Sequence, residues 1–329
     1  SSSGGVFHYL AMEILNQKGI VYGAELNDFK VKHIRIDNIE DLTKIKGSKY
    51  AQSNLEKTFQ QAKNDLMNKK QVLFSGTPCQ ILGLKRYLKK DYNNLYTVSV
   101  ICHGVINDDL LQKRISEFER QFDTKMSQVK YRSKINGWDK STIEFDSERI
   151  RKSYTFTEDP LMDLYINNFI LRESCYDCPA KGLDKNVADI ILGDYWGIYH
   201  VDRELFDNLG VSAVITKTEK GQELYSKIKN FVIYKETDVE DIIKYNPSLE
   251  SSSPRPILRD RIFIDLKYNT LGMVSDNCKL QKKTEKTDEI EKIELEKNAL
   301  QEQFNQIYNS KRFKMIDKLG NMINRIRRK

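Results

Sequence analysis

Gln71-Val72-Leu73-Phe74-Ser75-Gly76-Thr77-Pro78-Cys79 reads as a short buried strand that breaks at small residues and enters a helix with proline in its first turn. Proline suits that position because its missing N–H would have no helical partner there. The arrangement recurs downstream. Leu95 to Ile101 is an apolar strand ending at Cys102-His103-Gly104, and a helix follows from about Asp108 to Phe122. Strand and helix in alternation predict an α/β fold built on a mainly parallel sheet with helices on both faces. Ser75, Gly76 and Thr77 then fall where a parallel strand ends and a helix begins, the usual crevice for ligands in open sheets.

Upstream, Ser1-Ser2-Ser3-Gly4-Gly5 opens a helix from Val6 to about Lys18, and Ile20 to Leu26 and Phe29 to Ile36 follow as strands. A helix capped by Asn54 runs to about Met67. Downstream, polar and apolar residues alternate from Val129 to about Phe156, which predicts an antiparallel excursion around Gly137-Trp138. Asp159 to Ile170 is helical, Ala188 to Leu192 is a strand leading into Gly193-Asp194-Tyr195-Trp196-Gly197, and Val211 to Ile215 is another strand. A helix from Gly221, a segment Phe231 to Tyr234 and a last helix from Pro254 to about Tyr268 close a body of residues 1–270. Residues 271–310 form a charged linker and short coiled coil, with Ile290, Ile293, Lys297, Leu300, Phe304 and Ile307 on a and d positions. Self-association through 290–307 is expected. Residues 311–329 read as a basic amphipathic helix with an apolar stripe from Phe313 to Ile326.

Four of the five cysteines have a pattern. Cys79 and Cys102 each end an apolar run beside a glycine, and Cys175 and Cys178 form a Cys-x-x-Cys pair followed by Pro179. The pair puts two thiolates within reach of one centre, and the proline after the second cysteine is a ferredoxin habit. Spacing alone leaves three readings open: an iron–sulfur cluster, a structural zinc site with His103 as a conceivable ligand, or buried core thiols. Cys79 in a helix's first turn has its thiol pKa lowered by the helix dipole, which favours the thiolate a metal needs. Cys278 stands apart as an ordinary thiol. His8, His33 and His200 are scattered and carry no signal, and His103, adjacent to Cys102, is expected to make no dyad with it.

With 329 residues and 39% hydrophobic content the chain can bury a sizeable core. The net charge of +7 resides entirely in residues 311–329, where eight basic residues face Asp317 alone. A nucleic-acid enzyme would spread positive potential over its body, so no nucleic-acid partner is expected. The tail predicts peripheral association with an anionic membrane surface. An odd cysteine count in metal-type spacing, and no charged-then-apolar leader, point to a reducing compartment, hence a cytoplasmic protein at or near the inner membrane face. The chain opens on Ser1, as a piece of a longer protein would.

Residues 1 to 268 carry, in order, Ser1 to Gly5, Lys46-Gly47-Ser48-Lys49-Tyr50-Ala51-Gln52-Ser53, the Phe74 to Gln80 turn, Ile101 to Gly104, Ser174 to Pro179 and Ile191 to Gly197. That series resembles the coenzyme F-420 hydrogenase/dehydrogenase beta-subunit family, whose bacterial members often accompany polysaccharide biosynthesis. The resemblance implies a 4Fe-4S cluster held by Cys79, Cys102, Cys175 and Cys178, beside a flavin, FAD rather than FMN. Coenzyme F-420 as a substrate is left open. Typical relatives carry an upstream two-cluster ferredoxin module, so electrons would come from such a module or from a separate ferredoxin.

Read from their own chemistry, Ser2, Ser3, Gly4 and Gly5 at a helix start suit a pyrophosphate, with a plain helix cap as the alternative. Lys49, flanked by Tyr50, Gln52 and Ser53, could set an ammonium beside a flavin carbonyl, or lie in a solvated loop. Ser75, Gly76 and Thr77 complete the expected cofactor contacts. The expected function is an iron–sulfur flavoprotein oxidoreductase passing electrons to a small organic or sugar-linked acceptor. The alternative is a non-catalytic module with a structural four-cysteine metal site and a partner- or membrane-binding tail.

Overall fold

The computed structural model describes residues 1–309; the predicted basic helix at 311–329 lies outside them. The chain divides into two compact units, Ser1–Gly272 and Met273–Lys329.

The first unit begins with α1 (Val6–Asn16), the hairpin β1 (Ile20–Asn27) and β2 (Lys30–Ile36), the short α2 (Leu42–Ile45) and α3 (Thr58–Met67). Next come β3 (Val72–Gly76), α4 (Pro78–Leu88), β4 (Leu95–Val100) and α5 (Asp108–Phe122). An antiparallel sheet of β5 (Met126–Ser133), β6 (Thr142–Ser147) and β7 (Arg151–Thr155) is followed by α6 (Pro160–Ile166), β8 (Ile190–Asp194), α7 (Ile198–Val201) and β9 (Ser212–Thr216). Helices α8 (Glu219–Ile228), α9 (Val239–Tyr245), α10 (Arg259–Asp265) and α11 (Leu271–Asn309) complete the described chain.

Strand order in the main sheet is β2-β1-β3-β4-β8-β9. The central pairings β1–β3, β3–β4 and β4–β8 are parallel, and the edge strands β2 and β9 are antiparallel. This is the expected α/β architecture. Successive side chains of a strand point to opposite faces, and here they feed two cores. Val21 and Leu73 pack with Leu10 and Ile14 of α1 and Leu224 and Ile228 of α8. Ile20, Tyr22, Val72 and Phe74 pack with Ala62 and Leu66 of α3 and Ile81, Leu84 and Leu88 of α4.

Two sequence expectations, at Asn54 and at Pro254, differ in detail. Asn54 does not cap a helix; it pairs with the edge strand β2, accepting from His33 N at 2.9 Å and donating to Val31 O at 2.8 Å. In the segment Phe231 to Tyr234, which follows α8, a 3-10 turn spans Lys229–Phe231 and Ile233 is 92% exposed. Helix α10 begins at Arg259 rather than Pro254, because Pro254 and Pro256 supply no N–H and restrict the residues before them. No helix among the described residues is long and apolar enough to cross a membrane.

Candidate functional site

The carboxyl ends of β3, β4 and β8 open at one edge of the sheet, and the predicted residues gather along it. Residues 50–54 lie across this edge. Ala51 bridges Ile106 beyond β4, with Gln52 N donating to Ile106 O at 3.0 Å, and Asn54 joins β2.

A buried hydrogen-bond chain fixes the turn that carries Cys79. Gln80 Oε1 accepts from Thr77 N at 3.0 Å, and Gln80 Nε2 donates to Ser53 Oγ at 2.8 Å. His33 Nε2 lies 2.8 Å from Ser75 O, a carbonyl that can only accept, so Nε2 carries the proton. Nδ1 therefore accepts from Ser53 Oγ, 2.7 Å away. Burial pushes His33 down to about 4, which keeps the ring neutral and this polarity fixed. His33, set aside in the sequence, is thus a clamp between β2, residues 50–54 and the Ser75-Gly76-Thr77 turn. Ser53 and Ser75 spend their polar groups on this clamp, Ser75 Oγ also donating to Tyr22 O at 3.1 Å.

The four cysteines converge from three segments. Cys79, in the first turn of α4, is hydrogen-bonded to Cys178 and lies 3.1 Å from Thr77 Oγ1. Donation from Cys178, with further bonds from Thr77 and the first-turn amides, holds the Cys79 thiol below its ordinary range, while the same pairing and burial raise Cys178. Burial pushes Cys102 up to about 12, with the Lys181 ammonium opposing and Cys79 and Cys175 adding to the rise. Cys175 is raised chiefly by burial. No disulfide joins any of them. Segment 247–253 embraces the group: Ser252 Oγ accepts from Cys178 N at 3.0 Å, and Ser253 Oγ donates to His103 O at 2.8 Å.

Among the described residues, no three His, Cys, Asp or Glu side chains are grouped closely enough to hold a metal ion. Four thiols are the donor set common to structural zinc and to iron–sulfur clusters.

Next to the cysteines stands an aromatic wall. The His103 ring meets Tyr165 at 5.1 Å, Tyr165 meets Tyr50 at 4.9 Å, and Tyr50 meets Tyr131 at 5.4 Å. Beyond it opens a cavity of about 670 Å³ lined by Ser2, Gly47, Ser48, Lys49 and Arg132 among others. Ser48 Oγ donates to Ser2 Oγ at 2.9 Å, which ties two of the predicted segments together. Five cations line this cavity against one carboxylate, Asp28. Lys44, Lys130 and Arg132 are matched by Asp41, Glu144 and Asp194, which leaves Lys46 and Lys49 as the excess. Lys49 donates to Lys46 O at 2.8 Å, and burial pulls its ammonium down to about 8 against the pull of Glu25.

The glycine-rich start does not act as a serine cap. The residue at the cap of α1 is Gly5, in the left-handed region at φ 91°, and no side chain caps it. Ser3 Oγ instead donates to Val211 O at 2.8 Å. A Cβ on Gly4 would come within 3.0 Å of Gly210 O and Ser212 N, so glycine is what lets this segment lie against β9. Gln52 is exposed on the strand-like segment, and Gly76 packs beside Gln80 and His33.

Arg132 is the residue the sequence did not single out. Its side chain is 5% exposed, pairs with Asp194 at 3.0 Å, and lies 4.9 Å above the Trp196 ring. Trp196 stacks on Trp138 at 5.0 Å, and Trp138 Nε1 donates to Asp194 at 2.9 Å. Asp194 and Trp196 therefore brace an arginine in the cavity wall. Arg132 was legible only as one polar position in an alternating strand.

Comparison with known proteins places the chain at the level of a family. A chain of the F420-reducing [NiFe] hydrogenase complex from Methanosarcina barkeri is similar at 18% identity, covering 75% of this chain and 84% of that one, with a TM-score of 0.47. No curated protein matches. The family model for the C terminus of the beta subunit of coenzyme F420 hydrogenase/dehydrogenase matches residues 69–242, just over half of the sequence and inclusive of all four clustered cysteines, and the chain belongs to that family.

Proposed function

We propose that residues 1–270 are the body of an iron–sulfur flavoprotein. It would take electrons from a ferredoxin-type donor through a 4Fe-4S cluster on Cys79, Cys102, Cys175 and Cys178, and deliver them by way of FAD to a small organic or sugar-linked acceptor. The observation that carries the reading is the meeting of four cysteines from three separate segments at the carboxyl edge of a parallel sheet, linked through the successive rings of Tyr165, Tyr50 and Tyr131 to a cation-rich cavity. When bound, the two groups would supply single-electron and two-electron chemistry respectively.

The residues divide that work. The first-turn amides of α4 and the Thr77 hydroxyl favour thiolate at Cys79. Tyr165 and Tyr50 exclude water between the sulfurs and the cavity and keep the two neighbours close. Lys46 and Lys49 offer positive charge to phosphates or to an electron-rich ring, and the hydroxyls of Ser2 and Ser48 offer donors and acceptors beside them. Ser53, Ser75 and Gln80 hold the turn in place from behind. An acceptor from polysaccharide biosynthesis fits the bacterial branch that the motifs resemble.

Anaerobic purification with iron, sulfide and flavin assays tests this. About four irons and four sulfides with one flavin per chain is the expected result. Colourless protein carrying zinc and no flavin would overturn it.

A further inference from the structure

The turn after Cys178 brings Lys181 back beneath the cysteines. Lys181 N donates to Cys178 O at 3.2 Å, and Gly182, in the left-handed region at φ 95°, lets the chain leave toward Leu249, whose carbonyl accepts from Gly182 N at 3.2 Å. Lys181 is only 7% exposed. Its ammonium donates to the carbonyl oxygens of Cys102 and of Ser248, the latter at 2.6 Å. None of the ion pairs between described residues includes it, whereas the arginine side chains of Arg114 and Arg132, also deeply buried, have Asp159 at 2.8 Å and Asp194 at 3.0 Å.

A buried ammonium without a carboxylate is costly, because two carbonyl dipoles replace only part of its hydration. Tying three loops together needs a donor, and a neutral glutamine would serve at lower cost. A full positive charge is favoured only where negative charge stands beside it. Around Lys181 that charge can come from the cysteines: its field reaches Cys102, Cys175 and the His103 ring.

We propose that Lys181 is the counter-charge of the cysteine site, positioned to stabilise the reduced and more negative state of the group held there and so to raise its midpoint potential. The inference rests on the cluster reading. Four thiolates around an iron–sulfide core carry net negative charge that grows by one with each electron accepted, and a fixed cation at the Cys102 carbonyl favours the added electron. The placement is not a catalytic one. Lys181 acts through the potential of its neighbour and touches no substrate.

The test compares the whole chain as wild type, Lys181→Met, Lys181→Gln and Lys181→Arg. Each is purified anaerobically, assayed for iron, and titrated spectroscopically for its midpoint potential. Iron retained in all four proteins, with the midpoint shifted to more negative values in Met and Gln but held near wild type in Arg, is the expected result. Loss of iron from Met and Gln with retention in Arg also supports the counter-charge, since the charge is then needed to gather the thiolates. Two results overturn it: full iron with an unmoved midpoint in Met and Gln, or loss of iron from the Arg variant as well, which would make the role one of shape. Wild-type protein that binds no iron would instead defeat the cluster reading itself, a separate failure.

Discussion

Lys49 has a structural reason to matter that its sequence neighbours lack. Its ammonium is buried at the rim of a cavity with an excess of cations, and burial pulls it down to about 8. Below that pH it is charged and attracts an anion; above it the charge, and one charge-assisted hydrogen bond, are lost. Binding of flavin by the apoprotein is therefore expected to weaken as pH rises through about 8. Lys49→Met should bind roughly 10- to 100-fold more weakly at pH 7, as loss of one charged hydrogen bond implies, and its affinity should no longer break near pH 8. Fluorescence titration of flavin at several pH values measures both effects, and a Lys49→Met profile that keeps the wild-type break would assign it elsewhere. At the cysteines, Cys79→Ser should lose most of the bound iron, while Cys278→Ser, on α11 and outside the converging set, should keep it. Equal iron in the two variants would remove Cys79 from the ligand set.

Between elements, the clamp of His33, Ser53 and Gln80 joins an edge strand, a loop and a helix start. His33 lies at about 4 in the fold against 6.5 for the free side chain. Its depressed value means the unfolded chain takes up the proton first. The contribution is fully present above about 6.5, is lost as pH falls toward 4, and amounts to on the order of 3 kcal/mol at about 1.4 kcal/mol per pH unit. Denaturant unfolding at pH 7.5 and 4.5 should show that loss in the wild type and a smaller one in His33→Gln; equal losses would place the acid sensitivity elsewhere. Most elements were legible because apolar alternation and strand–helix succession are local signals, as at Val72 to Phe74 and Ile20 to Tyr22. The clamp was not. A histidine on an edge strand looks solvent-facing until residues 50–54 cover it, and that covering depends on contacts far apart in sequence. Arg132 was hidden for the same reason, since only the fold brings Asp194 and Trp196 beneath it. Cysteines at Cys-x-x-Cys spacing and at strand ends were visible because a thiol near glycine is chemically unusual wherever it falls.

At the scale of the whole molecule, every residue assigned to the cysteine group, the aromatic wall and the cavity lies in the unit Ser1–Gly272. Helix α11 runs on to Asn309, and among its described side chains none beyond Cys278 is buried. Ile293 and Leu300, at 57% and 68% exposure, occupy the d positions of the heptad stripe. Side chains exposed in this way contribute little to the hydrophobic stabilisation of a single chain, whereas a second heptad stripe would bury them. A chain ending at Gln281 retains every described buried side chain. It is therefore expected to melt within a few degrees of the full chain, in line with the roughly 2–4 °C per kcal/mol of a unit this size, and to keep its iron and flavin content. Removing the stripe should also abolish any self-association that the full chain shows by sedimentation equilibrium. Loss of iron or flavin from the shortened chain would show that the second unit helps to build the site, and an unchanged oligomeric state in a self-associating protein would move the contact onto the body.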